Sequence, residues 1–307
     1  MLLRRLLQLG FVLALVVVGA SSTLRLSANG IGCSPWPACY GQPATATAVN
    51  AAPLARMLRL AHRIAASAFA LLALVIVALG WRNWIRPARA VAILLLAVTA
   101  VLAAVGRYTP SPLPAVTLVN LLGGLALLAL LAYLLAAEAP ASRAAAGGSR
   151  GAARGVGFAV LIAAFVLQSG IGALISARLA GDACASGCGT IWSPGAAVLA
   201  DPLRPGTAAD LMRAGAGQPL HALHRLGGVA LTVIAVPAIF ALLRRRPRAG
   251  AVAMLAVAAT AGLGFIVASP APALAASALH ALAAGAVFAT LGAALALRAA
   301  PSQEMPT

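Results

Sequence analysis

Residues 218–246 read QPLHALHRLGGVALTVIAVPAIFALLRRR. Between Leu220 and Leu243 the only charge is Arg225. A run of this kind meets the length of about 20 apolar residues that a helix needs to cross a bilayer. It closes on an arginine cluster and carries two histidines near its start. The rest of the chain repeats the pattern. Of its 307 residues, 62% are hydrophobic and 9% charged, against roughly 45–50% and about 25% in a soluble domain. Mean hydropathy is +0.99. A soluble globule has too much surface for its volume to hide so much apolar area. Soluble, disordered, fibrous and nucleic-acid-binding classes are excluded on this ground.

Eight spans are predicted, over 6–24, 57–80, 89–106, 115–136, 156–177, 220–243, 249–268 and 273–297. The fold class is an all-α integral membrane protein. Breaks fall where Pro, Gly and Arg are dense, at 81–89, 107–114, 139–154, 178–219, 244–248 and 269–272. Net charge is +17, from 22 basic residues against five acidic ones, and every basic residue is Arg. Arg4, Arg5, Arg82, Arg86, Arg89, Arg143, Arg150, Arg154, Arg244, Arg245, Arg246, Arg248 and Arg298 fall on one side. Arg25, Arg56, Arg59, Arg107, Arg178, Arg204 and Arg213 fall on the other. The richer side is cytoplasmic by the positive-inside rule. Both termini then lie inside, which places a multi-pass protein in a bacterial cytoplasmic membrane, in contact with lipid. A cleaved signal peptide is the other reading of the first span. It would leave seven spans and put the C-terminus outside, against the arginines.

The two halves repeat an order of features. Each has an Arg just after its first span (Arg25, Arg178), then a Cys pair in the outer loop. Each then has a His-Arg pair early in the next span (His62-Arg63, His224-Arg225). The expected organisation is two pseudo-symmetric four-helix bundles, 1–138 and 155–307, joined by a cytoplasmic linker at 139–154. Internal repeats put sites at matched depths. Gly123-Gly124 and Gly170-Ile171-Gly172 permit close helix contact, within the bundle or in a homo-oligomer.

Cys33, Cys39, Cys184 and Cys188 all fall on the outer, oxidising face, so disulfides or redox-active pairs are expected. Metal binding is the rival reading, disfavoured because Zn sites usually use tighter CxxC spacing. The chain has four histidines: His62, His221, His224 and His280. Ionisable side chains inside spans are rare and point to function. At about 1.5 Å rise per residue, His62, His224 and His280 lie about 6–10 Å below the outer boundary. His221 stands one turn above His224 on the same face. Imidazoles from separate helices at one depth suit bis-histidine haem ligation. Arg63 and Arg225 are expected partners for haem propionates. The bland reading of each histidine alone is a polar residue bonded to a carbonyl between helices.

Residues 25–41, RLSANGIGCSPWPACYG, resemble the first outer loop of the haem A synthase family. His62-Arg63, His221-Ala222-Leu223-His224-Arg225 and Leu279-His280-Ala281 resemble its histidine helices, and the likeness runs over nearly the whole chain. The resemblance implies oxidation of the C8 methyl of haem O to the formyl of haem A, for cytochrome oxidase maturation. It implies a haem b on His224 and His280 and a substrate haem at His62. It also implies a haem O synthase and an electron donor as partners. Two positions depart from the family pattern. Asn120 stands where the family has a second first-half histidine, and Arg59 where it has a catalytic Glu. Residues 1–137 contain no Asp or Glu, so any outer-face carboxylate would be Asp182, Asp201 or Asp210. The alternative function is a noncatalytic haem-b-binding electron-transfer or oxidase-assembly protein, with a thiol–disulfide relay as a further option. A transporter without haem is the third class considered.

Overall fold

The computed structural model describes residues 1–26, 53–106, 108–109, 113–138, 152–178, 184, 188, 200–204, 217–269 and 274–299. These residues form eight helices and no strand. They are α1 (Leu2–Leu26), α2 (Pro53–Gly80), α3 (Arg86–Gly106), α4 (Pro114–Ala137), α5 (Ala152–Ala177), α6 (Gln218–Arg245), α7 (Pro247–Val267) and α8 (Leu274–Ala299). All eight are long and apolar enough to span a membrane, as the hydropathy pattern predicts. Several helices start a little before the predicted spans, some of them on a proline. Pro114, Pro219 and Pro247 sit in the first turns of α4, α6 and α7, where a missing N–H costs nothing.

In the first half α1 packs on α2 and α4, and α3 packs on α4. In the second, α5 packs on α6, α6 on α7 and α7 on α8. The halves meet through α4 against α8 and α5, and through α1 against α8. The α4–α8 seam is the most extensive. It closes because Gly292 presents no side chain to the backbone of Ala129, whose carbonyl oxygen occupies the space a Cβ would need. Small residues let membrane helices approach this way. Gly250 does the same in the α6–α7 hairpin, where a Cβ would lie 2.5 Å from Leu243 Cα.

The main apolar core lies in the first half, where Leu7, Ile76, Leu95, Leu128, Leu131 and Leu134 are fully buried. A smaller cluster of Leu161, Leu231 and Ala235 serves the second half. Many large apolar residues face outward, among them Leu71, Leu255 and Phe265. In water such a surface would be an aggregation liability; against lipid tails it is the ordinary exterior. At the end opposite the histidines, buried Trp84 donates from Nε1 to Glu138 Oε1 at 2.7 Å. This joins the α2–α3 turn to the end of α4. The linker expected at 139–154 lies outside the described residues up to 151; α5 begins at Ala152.

Replacing Gly292 by Ala should lower the thermal midpoint in detergent, at a cost of about 1–3 kcal/mol for overpacking. Gly170→Ala, where nothing stands within 4 Å, should leave it nearly unchanged. Equal midpoints for the two variants, measured by thermal unfolding, would argue against a backbone-close seam.

Candidate functional site: a histidine pair between α6 and α8

His224 and His280 each lie six residues inside their helices, counted from Gln218 and Leu274. At the α-helical rise this is roughly 9 Å below each helix start. Their rings face each other with centroids 6.3 Å apart and planes at 87°. A ring nitrogen sits about 1.2 Å from its centroid and binds a transition metal at about 2.0–2.1 Å. Two imidazoles on opposite sides of one ion therefore place their centroids about 6.4–6.6 Å apart, close to the observed spacing. The spacing is that of a pair able to share a metal.

The two rings are seated by the same device. His280 lies against Gly264 of α7, where a Cβ would come within 3.2 Å of its Cε1. One turn earlier on α7, the Thr260 carbonyl accepts from His280 Nδ1–H at 3.0 Å. His224 lies against Gly172 of α5, where a Cβ would come within 2.9 Å of its Cε1. One turn earlier on α5, Gln168 Nε2 lies 3.0 Å from His224 Nδ1. Residues four apart share a helix face. Each preceding helix thus offers a glycine for the ring and a polar group for Nδ1. At His280 that leaves Nε2 as the nitrogen available to a ligand, and metal-bound histidines usually donate their second N–H in this way; at His224 the amide nitrogen donates, so Nδ1 accepts.

Arg225, next in sequence, donates from Nη2 to the Ala268 carbonyl at 2.9 Å, at the C-terminus of α7. Its Nε is buried with no hydrogen-bond partner among the described residues. His221 is buried one turn above His224. Its ring nitrogen and the sulfurs of Cys184 and Cys188 lie within 4.8 Å of one another. The two cysteines form a disulfide, so the second expected pair is present and its sulfurs are not free to bind a metal. Cys33 and Cys39 lie outside the described residues.

The first-half residues are arranged differently. His62 is half-buried on α2, nine residues inside Pro53, because α2 begins earlier than the hydropathy pattern suggests. Relative to its helix start it is deeper than the other two. Arg59 lies one turn outward of it, half-buried, and Arg63 follows it. Asn120, half-buried on α4, donates from Nδ2 to Thr109 Oγ1 at 3.1 Å. Its amide nitrogen is engaged with the α3–α4 connection.

The two matched arginines outside the histidine pairs both serve structure. Arg25 Nε donates to Ser176 Oγ at 2.8 Å, tying the end of α1 to the end of α5. Arg178, 1% exposed, donates to the Asp201 carbonyl at 2.8 Å. The Pro202 carbonyl accepts from Ala115 N–H at 2.9 Å, so this loop segment is pinned on α4. The Asp201 carboxylate accepts from Leu203 N–H at 2.9 Å and closes that turn. Asp182 and Asp210 lie outside the described residues.

Sequence reasoning finds the histidines but misses what seats them. Gln168 carries a signal, being a polar residue in an apolar span. Thr260 carries none, because it contributes a backbone carbonyl.

The arrangement defines an eight-helix membrane protein with a half-buried histidine pair between two helices. A family model described as cytochrome oxidase assembly protein (COX15-CtaA) matches residues 4–292. The chain belongs to that family, the haem A synthase family. A search of curated proteins finds no match.

In unreduced protein a maleimide should leave Cys184 and Cys188 unmodified, and prior reduction with a phosphine should expose both, read by mass spectrometry of the peptides. Labelling of either cysteine without reductant would contradict the bridge.

Proposed function

We propose that the chain binds a haem b between His224 and His280. On this reading it works as a haem A synthase-type oxidoreductase in the bacterial cytoplasmic membrane, with both termini cytoplasmic. The observation that carries the reading is the 6.3 Å ring spacing with both Nδ1 atoms held. The chemistry of the surroundings fits. Arg225, next to His224 in sequence, has a buried Nε with no partner among the described residues, suited to a carboxylate such as a haem propionate. When bound, the haem would supply one-electron transfer.

The residues' own work is to hold and insulate. His224 and His280 would hold the haem from two helices, and Gly172 and Gly264 leave room for the Cε1 edges of the rings. Arg225 anchors the α7 end and offers Nε to an anion. In the first half His62 would be the single protein ligand of a substrate haem O. Asn120 would not help to hold it, being a poor iron ligand and bonded to Thr109; when bound, the haem would supply the oxygen chemistry. Haem O synthase and an external electron donor are the partners this activity implies.

Two observations favour a second reading. Asn120 spends its amide on Thr109, and Arg59 reverses the charge expected beside His62. A chain that keeps only the second-half haem, as a noncatalytic electron carrier or assembly factor, accounts for both substitutions.

Purified protein should show a b-type pyridine haemochrome, lost in His224→Ala and His280→Ala and largely kept in His62→Ala. Co-expression with a source of haem O should accumulate formyl haem. Folded protein with no Soret band would overturn the haem reading. A bound haem b with haem O left unconverted would overturn the activity and select the second reading.

A further inference from the structure

The two rings of the pair are held by chemically different groups. The Thr260 carbonyl can only accept, so His280 carries its proton on Nδ1 and keeps Nε2 bare. His224 faces a side-chain amide. Gln168 Nε2 donates to the His224 carbonyl at 2.6 Å and lies 3.0 Å from Nδ1 of the same residue. One nitrogen thus ties the ring to its own backbone and fixes its rotamer. The amide fits because Gly227 and Gly228 follow on α6. A Cβ at Gly227 would lie 2.5 Å from Gln168 Oε1, and one at Gly228 would lie 3.3 Å from Nε2.

We propose that Gln168 is the positioning residue of the site, setting the orientation and tautomer of His224 so that Nε2 is the nitrogen offered to a metal. The inference rests on reading His224 and His280 as a ligand pair. In the arrangement described, both amide hydrogens are spent on His224, one on its carbonyl and one on Nδ1. The neutral ring then has its proton on Nε2, opposite to His280. For His224 to bind a metal through Nε2, that proton leaves to solvent and Nδ1 takes one, so the ring's charge is unchanged. The amide meets this by turning about its last side-chain torsion, which is broad and roughly two-fold. Its oxygen then accepts from Nδ1–H. An amide has both a donor and an acceptor edge and serves both states. The backbone carbonyl at His280 serves only one.

Conservative and non-conservative substitutions separate positioning from mere packing. Gln168→Glu offers only acceptor oxygens and should hold His224 as the Nδ1–H tautomer at all times, slowing haem loss. Gln168→Leu keeps the bulk and offers nothing. It should weaken haem retention roughly 10–100-fold, the usual cost of removing such a partner. The first readout needs no haem. Histidine-labelled, metal-free protein in micelles should give a nitrogen spectrum with His224 as Nε2–H and His280 as Nδ1–H, assigned with His224→Ala and His280→Ala. Gln168→Glu should switch His224 to Nδ1–H, and Gln168→Leu should give a mixture of tautomers. The second readout is the rate of haem transfer to apomyoglobin. A His224 spectrum unchanged in both variants, or equal weakening of haem retention by both, overturns the proposal. Wild-type protein without haem refutes the ligand reading alone, and the nitrogen spectra still decide what Gln168 does to His224.

Discussion

The structure depends on two imidazoles from α6 and α8 meeting at one level inside an apolar bundle. Polar groups in such an interior are costly unless partnered. Each ring answers that cost at Nδ1, and the partner comes from the helix before it in sequence. Because α5 precedes α6 and α7 precedes α8, two helix pairs each deliver one finished histidine. The α4–α8 seam, closed at Gly292, then fixes α8 to the first half. What looks like a local site is therefore held by five of the eight helices.

The halves divide the labour unequally. The first carries the larger apolar core, and a segment of the second is pinned on it, with Arg178 and the carbonyls of Asp201 and Pro202 joining α5 to α4. The second carries the histidine pair and the smaller core. His62 stands in the first half with a cation on each side, Arg59 and Arg63, and with Asn120 turned to Thr109. Such surroundings suit an anionic group near His62 better than a proton-accepting carboxylate.

The fold was legible because bilayer crossing is a length-and-composition property. Eight runs without acids, punctuated by Pro, Gly and Arg, admit few other structures, and all eight helices appear. Helix ends were less legible, since Pro53 and Gln218 extend α2 and α6 outward past the apolar runs. His224 and His280 were legible as rare ionisable groups at matched positions. Their facing rings were not, since spacing along one helix says nothing about rotation against another. The seats were hidden for different reasons. Gly172 belonged to a small-residue motif expected to serve helix contact rather than a ring, Gln168 was a lone polar residue, and the Thr260 carbonyl has no side-chain signature.

The ring planes give the most direct test of a shared metal. Axial imidazoles with perpendicular planes give ferric haem a strongly anisotropic low-spin electron paramagnetic resonance signal, and parallel planes give a rhombic one; ligand identity and orientation are the protein's own contribution. With planes at 87°, the oxidised protein is predicted to show the strongly anisotropic low-spin signal. A rhombic low-spin signal would contradict the ring geometry, and a high-spin signal alone would contradict ligation by both histidines.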